Sequence, residues 1–135
     1  MSNATPASEF VTDTMGLVLW LERRKFSPTA RALYESAEAG NVTIHIPAIV
    51  FAEILYLSEK RRIGLTLDQV SDYLKRFPHY REAPMSLTAI QSAAQITDVP
   101  ELHDRLIAGA ARWLGLTLIT NDPIIQASSF VRAIW

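Results

Sequence analysis

The 135-residue sequence contains no cysteine. That excludes disulfides and thiolate metal sites, and it suits a reducing cytoplasm, where we expect the chain to work. Any metal must then be held by oxygen or imidazole. No apolar run approaches the ~18 residues of a membrane span, so no membrane association is expected. The N-terminus has no basic segment, and Glu9 and Asp13 precede the short run from Met15 to Leu21, so it does not read as a secretory signal. Charge of one sign is not in excess either: 13 Lys and Arg against 14 Asp and Glu give a net charge of −1. A protein that coats nucleic acid is normally basic, so any such contact here must be local. No repeat, low-complexity tract or linker is present. What remains, 49% hydrophobic and 20% charged residues, is the composition of one ordered domain long enough for a core. Residues 1–8 are small and polar and read as a flexible tail, in which Ser2-Asn3-Ala4 matches a cloning remnant. The domain is assigned to residues 9–135.

The central stretch is Ile46 to Leu57, almost wholly apolar except for Glu53. An ionised carboxylate in such surroundings needs a counter-ion or a shifted pKa. Around it the chain reads as alternating strands and helices. Glu9 to Asp13 is a short strand, followed by a short helix from Leu17 to Glu22. Ser27-Pro28 caps a helix running to Ala39. Val42 to Ile46 is β-branched and forms the second strand. Pro47 begins the apolar helix that carries Glu53 and ends at Lys60-Arg61-Arg62 and Gly64. Thr66 caps a helix from Leu67 to Phe77, and His79 to Ala83 is a third strand. Ser86 to Gln95 forms a helix with Leu87, Ile90 and Ala94 inward. Pro100 starts a helix closed by Gly115. Leu116 to Thr120 is a strand, one helical turn follows, and Phe130 to Trp135 is the last strand. Such alternation predicts a parallel sheet with helices on both faces. Ligands in such sheets sit beyond the carboxyl ends of the strands.

Four acids fall at that edge: Asp13 and Asp122 at strand ends, Glu53 two turns into a helix, and Asp104 in the first turns of another. Two carboxylates ~4 Å apart repel by ~4 kcal/mol at an effective dielectric near 20, so four require a cation. Mg²⁺ or Mn²⁺ prefers oxygen and could polarise a phosphodiester and activate a water. Plainer readings stand beside this one. Asp13 and Asp122 could be helix caps, Asp104 could favour a helix N-terminus, and Glu53 could make a buried salt bridge. Asp98 could be a further ligand or a cap before Pro100. Arg105 could meet phosphate or pair with Glu101. Thr14, Thr120 and Asn121 could support the acids or form turns. His45, His79 and His103 read as structural or surface residues. The runs 23–25 and 60–62 could form a basic patch facing RNA or could simply end helices.

Phe10-Val11-Thr12-Asp13-Thr14, Phe51-Ala52-Glu53-Ile54, Leu102-His103-Asp104-Arg105-Leu106-Ile107-Ala108 and Leu118-Ile119-Thr120-Asn121-Asp122 resemble, in order and spacing, the four acidic signatures of PIN domains, and most nearly those of VapC-type toxins of bacterial toxin–antitoxin pairs. The resemblance implies an α/β fold with a five-stranded parallel sheet of order 3-2-1-4-5. It implies an Mg²⁺- or Mn²⁺-dependent endoribonuclease with Asp13, Glu53, Asp104 and Asp122 as the catalytic, metal-binding acids. Thr120 matches the hydroxyl residue often found near the last acid. The implied partners are an RNA substrate, a cognate antitoxin and a second copy of the chain. The alternative is a non-catalytic module of the same fold whose acidic pocket docks a basic partner segment. A phosphorylated receiver-like domain would want a lysine after its last strand, and Arg132-Ala133-Ile134-Trp135 offers none.

Overall fold

Local chemistry sets most of the element boundaries. The computed structural model describes residues 8–135, so the expectation of a flexible tail lies outside the described residues except for Ser8. The Ser8 carbonyl accepts the Thr43 N–H at 3.1 Å. The element order is β1 (Glu9–Thr12), α1 (Thr14–Leu21), α2 (Pro28–Glu38), β2 (Thr43–Pro47), α3 (Ala48–Glu59), α4 (Leu67–Arg76), β3 (Tyr80–Ala83), α5 (Leu87–Ala94), α6 (Leu102–Leu114), β4 (Thr117–Ile119), α7 (Pro123–Gln126) and β5 (Ala133–Ile134). Ser27 caps α2 through the Ala30 N–H, with Pro28 at the first helical position. Thr66 and Gln69 form a reciprocal capping box at α4. Gly115 ends α6 in the left-handed conformation at φ 71°.

The sheet order is β3-β2-β1-β4-β5, and every neighbouring pair is parallel. The expected 3-2-1-4-5 topology is therefore found. Its direction of winding reverses between β1 and β4, where Thr12 pairs with Ile119. In an open parallel sheet, that reversal opens a crevice beyond the strands' carboxyl ends. Val11, Ile44, Ile46, Leu118 and Ile119 are fully buried and form the centre of the core with Leu17, Tyr34 and Ile54 from the helices. Among the described residues, no helix is long and apolar enough to cross a membrane.

Several expectations need correction. Leu87, Ile90 and Ala94 of α5 face solvent, and Ala89, Ser92 and Ala93 face inward. The reason lies in α6: a Cβ on Gly109 would come 2.4 Å from the Cβ of Ala93 and 2.6 Å from its Cα. The two helices meet through small residues at close range, so the larger apolar side chains are left outside. In α3 only Val50 and Ile54 are buried, while Leu55 and Tyr56 are exposed, so Glu53 lies at a half-open boundary rather than in the core. Pro47 closes β2 instead of opening the helix, α6 begins at Leu102, and β5 keeps only two residues.

Candidate metal centre at the carboxyl edge of the sheet

Asp13 follows β1 directly and is buried. It is the N-cap of α1, where Oδ1 accepts the Gly16 N–H at 2.7 Å. Oδ2 accepts the Thr120 hydroxyl at 2.6 Å. Burial raises its pKa from 3.8 to about 6, with Asp122 and Glu53 adding to the rise; the two hydrogen bonds oppose it by favouring the charged form. Below it lies a second layer. Thr12 Oγ1 donates to the Asp13 carbonyl at 2.9 Å, so the Tyr34 hydroxyl, 2.6 Å from Thr12 Oγ1, donates to Thr12. Burial holds the Tyr34 phenol well above its usual range, and the charge of Asp13 adds to this, so Tyr34 keeps its proton. A Cβ on Gly16 would sit 2.5 Å from that hydroxyl and 2.8 Å from Asp13 Oδ1. Position 16 therefore has room for hydrogen only. Sequence reasoning missed Tyr34, Thr12 and Gly16 as supports of Asp13; the one available signal was the spacing from an N-cap Asp13 to Gly16 three residues on.

The other three acids come from separate elements. Glu53 Oε1 accepts the Thr14 hydroxyl across the α1–α3 contact. Asp122 caps α7, its Oδ1 accepting the N–H groups of Ile124 at 2.8 Å and Ile125 at 3.3 Å. Its own N–H donates to Thr120 Oγ1 at 3.1 Å. Thr120 is thus a buried link that donates to one acid and accepts from the backbone of another. Asp104 stands in the first turn of α6, whose cap is Glu101. The Asp104 carboxylate makes no hydrogen bond among the described residues. Burial raises its pKa to about 6, and Asp122, Glu101, Glu53 and Asp13 push in the same direction.

These side chains line one cleft of about 620 Å³. All four acids, Thr14 and Asn121 open into it, with Met15, Leu57, Ile107 and Ile124 as apolar walls. Thr120 lies beneath it. Arg105 is not in its lining, and the expected pairing with Glu101 is not made: one Glu101 oxygen accepts the Asp104 N–H and the other meets His103 Nδ1 at 2.9 Å. Asp98 lies apart and caps no helix. It accepts the Ser128 hydroxyl at 2.8 Å and the Ser129 N–H at 2.9 Å, tying two loops together. The caps expected as plainer readings of Asp13 and Asp122 are present, and both residues still face the cleft.

Among the described residues, no lysine, arginine or histidine lines the cleft to neutralise the four acids. Among the described residues, no group of three or more acids or imidazoles stands close enough together to hold a metal ion. The donors instead ring an open space. That arrangement fits a hard divalent cation, which takes one or two carboxylates and keeps several waters. Asp104 has both oxygens available, and Glu53 and Asp122 have one each without a hydrogen bond among the described residues.

The PIN domain family model matches residues 10–130. No curated protein matches the chain by sequence. Among solved structures, the chain is similar to VapBC2 from Rickettsia felis, crystallised with a fragment of promoter DNA, at 20% identity, covering 94% of this chain and 98% of that one with a TM-score of 0.72. It is similar to FitAcB from Neisseria gonorrhoeae at 20% identity, 93% and 96% coverage and a TM-score of 0.69. A toxin–antitoxin complex from Klebsiella pneumoniae matches at 16% identity, 93% and 95% coverage and a TM-score of 0.63. At these identities the likeness is one of fold.

Proposed function

On the footing that the chain belongs to the PIN domain family, we propose that it is a metal-dependent endoribonuclease, the toxin of a cytoplasmic toxin–antitoxin pair. The observation that carries this reading is the convergence of Asp13, Glu53, Asp104 and Asp122 in one cleft whose lining, among the described residues, holds no cationic side chain to balance them. Asp13 and Asp104 would chiefly hold Mg²⁺ or Mn²⁺, with Glu53 and Asp122 binding directly or through waters. The bound ion would supply a Lewis acid for the phosphodiester and a water of lowered pKa. The chain's own task is orientation. Gly16 and Thr120 fix both Asp13 oxygens, Thr14 fixes Glu53, and the α7 backbone fixes Asp122. Each carboxylate oxygen keeps a further lone pair for a ligand. Tyr34 and Thr12 hold the turn from beneath.

An antitoxin is proposed as the protein partner, in line with the toxin–antitoxin complex among the structural neighbours. RNA is proposed as the substrate and a homodimer as the working form. Calorimetric titration of Mn²⁺ into the protein and into Glu53→Gln/Asp104→Asn, with RNA cleavage read in parallel, tests the centre. Metal binding and cleavage should disappear together in the variant. A wild type that binds no metal would overturn the reading and leave a cleft suited to docking a basic segment.

A further inference from the structure

Six of the chain's thirteen lysines and arginines lie in two runs, Arg23-Arg24-Lys25 and Lys60-Arg61-Arg62. The fold brings these runs together. Glu22 ends α1, and its Oε2 accepts the N–H groups of Gly64 at 2.7 Å and Leu65 at 3.0 Å, tying the end of α1 to the chain leaving α3. The two helices also close in the same way. Arg23 N–H donates to the Trp20 carbonyl and Arg24 N–H to that of Leu19; Arg61 N–H donates to Ser58 and Arg62 N–H to Leu57. In each closure the residue past the cap is left-handed, Arg23 at φ 58° and Arg61 at φ 56°. Glycine is the favoured residue there, because a Cβ is strained in that conformation. Arginine at both positions costs stability that glycine would restore, and such strain gathers where a side chain serves a function.

The side chains are also available. Arg24 lies 3.3 Å from Glu22, and Arg23 lies 3.6 Å from Glu38 and 4.6 Å from the Trp20 ring centre; the two cations are 47% and 62% exposed, and ion pairs this open contribute little. Lys25, Arg61 and Arg62 make no ion pair among the described residues. A face of α3 leads from the acidic cleft to this end through Glu53, Tyr56 and Lys60, at helical spacing. Tyr56 is 50% exposed, and the Lys60 ammonium lies 5.7 Å from its ring centre. From Glu53 to Lys60 is about 10 Å along the helix axis.

From the two tied helix ends and the exposed Tyr56 beside them, we infer that this surface holds single-stranded RNA, with phosphates on the two basic runs and a base on Tyr56, and leads the strand to the acidic cleft. The inference rests on the nuclease reading for the identity of the strand. Exposed cations beside an exposed ring are the two elements that single-strand binding combines. They also provide the local basic surface that a chain of net charge −1 needs to meet RNA.

The test uses the full chain in EDTA, with fluorescence anisotropy of a labelled single-stranded RNA at several salt concentrations. Arg61→Glu/Arg62→Glu should weaken binding by at least about tenfold and lower the log–log salt slope by about 0.7 for each phosphate that is no longer neutralised. Tyr56→Ala should weaken it by at least about fivefold and leave the slope unchanged. Arg23→Gly/Arg61→Gly should raise the thermal midpoint while weakening RNA binding, an opposition that a purely structural role would not produce. A folded Arg61→Glu/Arg62→Glu protein with unchanged affinity and slope would overturn the inference. So would binding of polyglutamate in place of RNA, which would assign the surface to an acidic protein segment. RNA binding that depends on these residues, without Mn²⁺-dependent cleavage in a parallel assay, would remove the nuclease reading and leave the strand surface in place.

Discussion

The acidic edge and the basic helix ends handle charge in opposite ways. At the edge, Asp13 has both oxygens hydrogen-bonded, Asp122 accepts two backbone N–H groups, and burial works against ionisation. At the helix ends, Lys25, Arg61 and Arg62 make no ion pair among the described residues, Lys60 lies over the Tyr56 ring, and Arg23 and Arg24 pair with half-buried acids while staying 62% and 47% exposed themselves. On the proposed reading, the difference matches what each charge would meet. A compact ion of fixed geometry calls for ligands held still before it arrives. A flexible strand calls for side chains free to follow it, at the price of rotamer entropy on binding.

Four changes would break or sharpen this contrast. The largest effect is expected from Asp104→Asn, which removes the carboxylate with both oxygens available. Cleavage should fall on the order of a thousandfold, the equivalent of several kcal/mol of lost charge stabilisation, measured as initial rates in Mn²⁺. Next is the pH dependence of stability without metal. The folded pKa of Asp13, about 6, lies above its ordinary 3.8, so the folded state holds the extra proton between those values. The stability this group contributes is complete below pH 3.8 and is lost as pH rises past about 6, on the order of 3 kcal/mol for Asp13. Urea unfolding of wild type against Asp13→Asn should isolate that loss, and saturating Mn²⁺, which binds the ionised form, should offset it.

Gly16→Ala is expected to cost about 2 kcal/mol, because its Cβ would overlap the Tyr34 hydroxyl and crowd Asp13. Adding Tyr34→Phe should recover part of that loss in thermal unfolding; no recovery would show that the crowding of Asp13 dominates. The smallest effect is expected from Thr120→Val. It keeps the volume but removes the donor to Asp13 Oδ2, and Mn²⁺ affinity by calorimetry should drop about tenfold, as for other residues that orient metal ligands. Unchanged affinity would mean that Gly16 alone sets the carboxylate.

The part of this centre legible in the sequence was the part written in charge. Four acids interrupting apolar segments, placed at strand ends or helix starts, all reach the same cleft. The support under Asp13 was not legible. Tyr34 looks like one more apolar position on the inner face of α2, and nothing local shows its hydroxyl reaching Thr12. The α5 face was misread for a related reason. Periodicity follows large apolar residues, but the contact with α6 is made where side chains are absent, at Gly109, so Leu87 and Ile90 give a false inner stripe. The burial of α3 was overestimated because a run of apolar residues does not reveal how many of its sides find a neighbour.

The left-handed arginines also bear on how such a chain can drift. Every arginine codon is one base from a glycine codon, so Arg23→Gly and Arg61→Gly are single mutational steps toward a more relaxed backbone. A lineage screened only for resistance to heat would take both steps early. Recovering either arginine afterwards would mean moving against that gradient, so the two positions would record whether selection acted on more than folding.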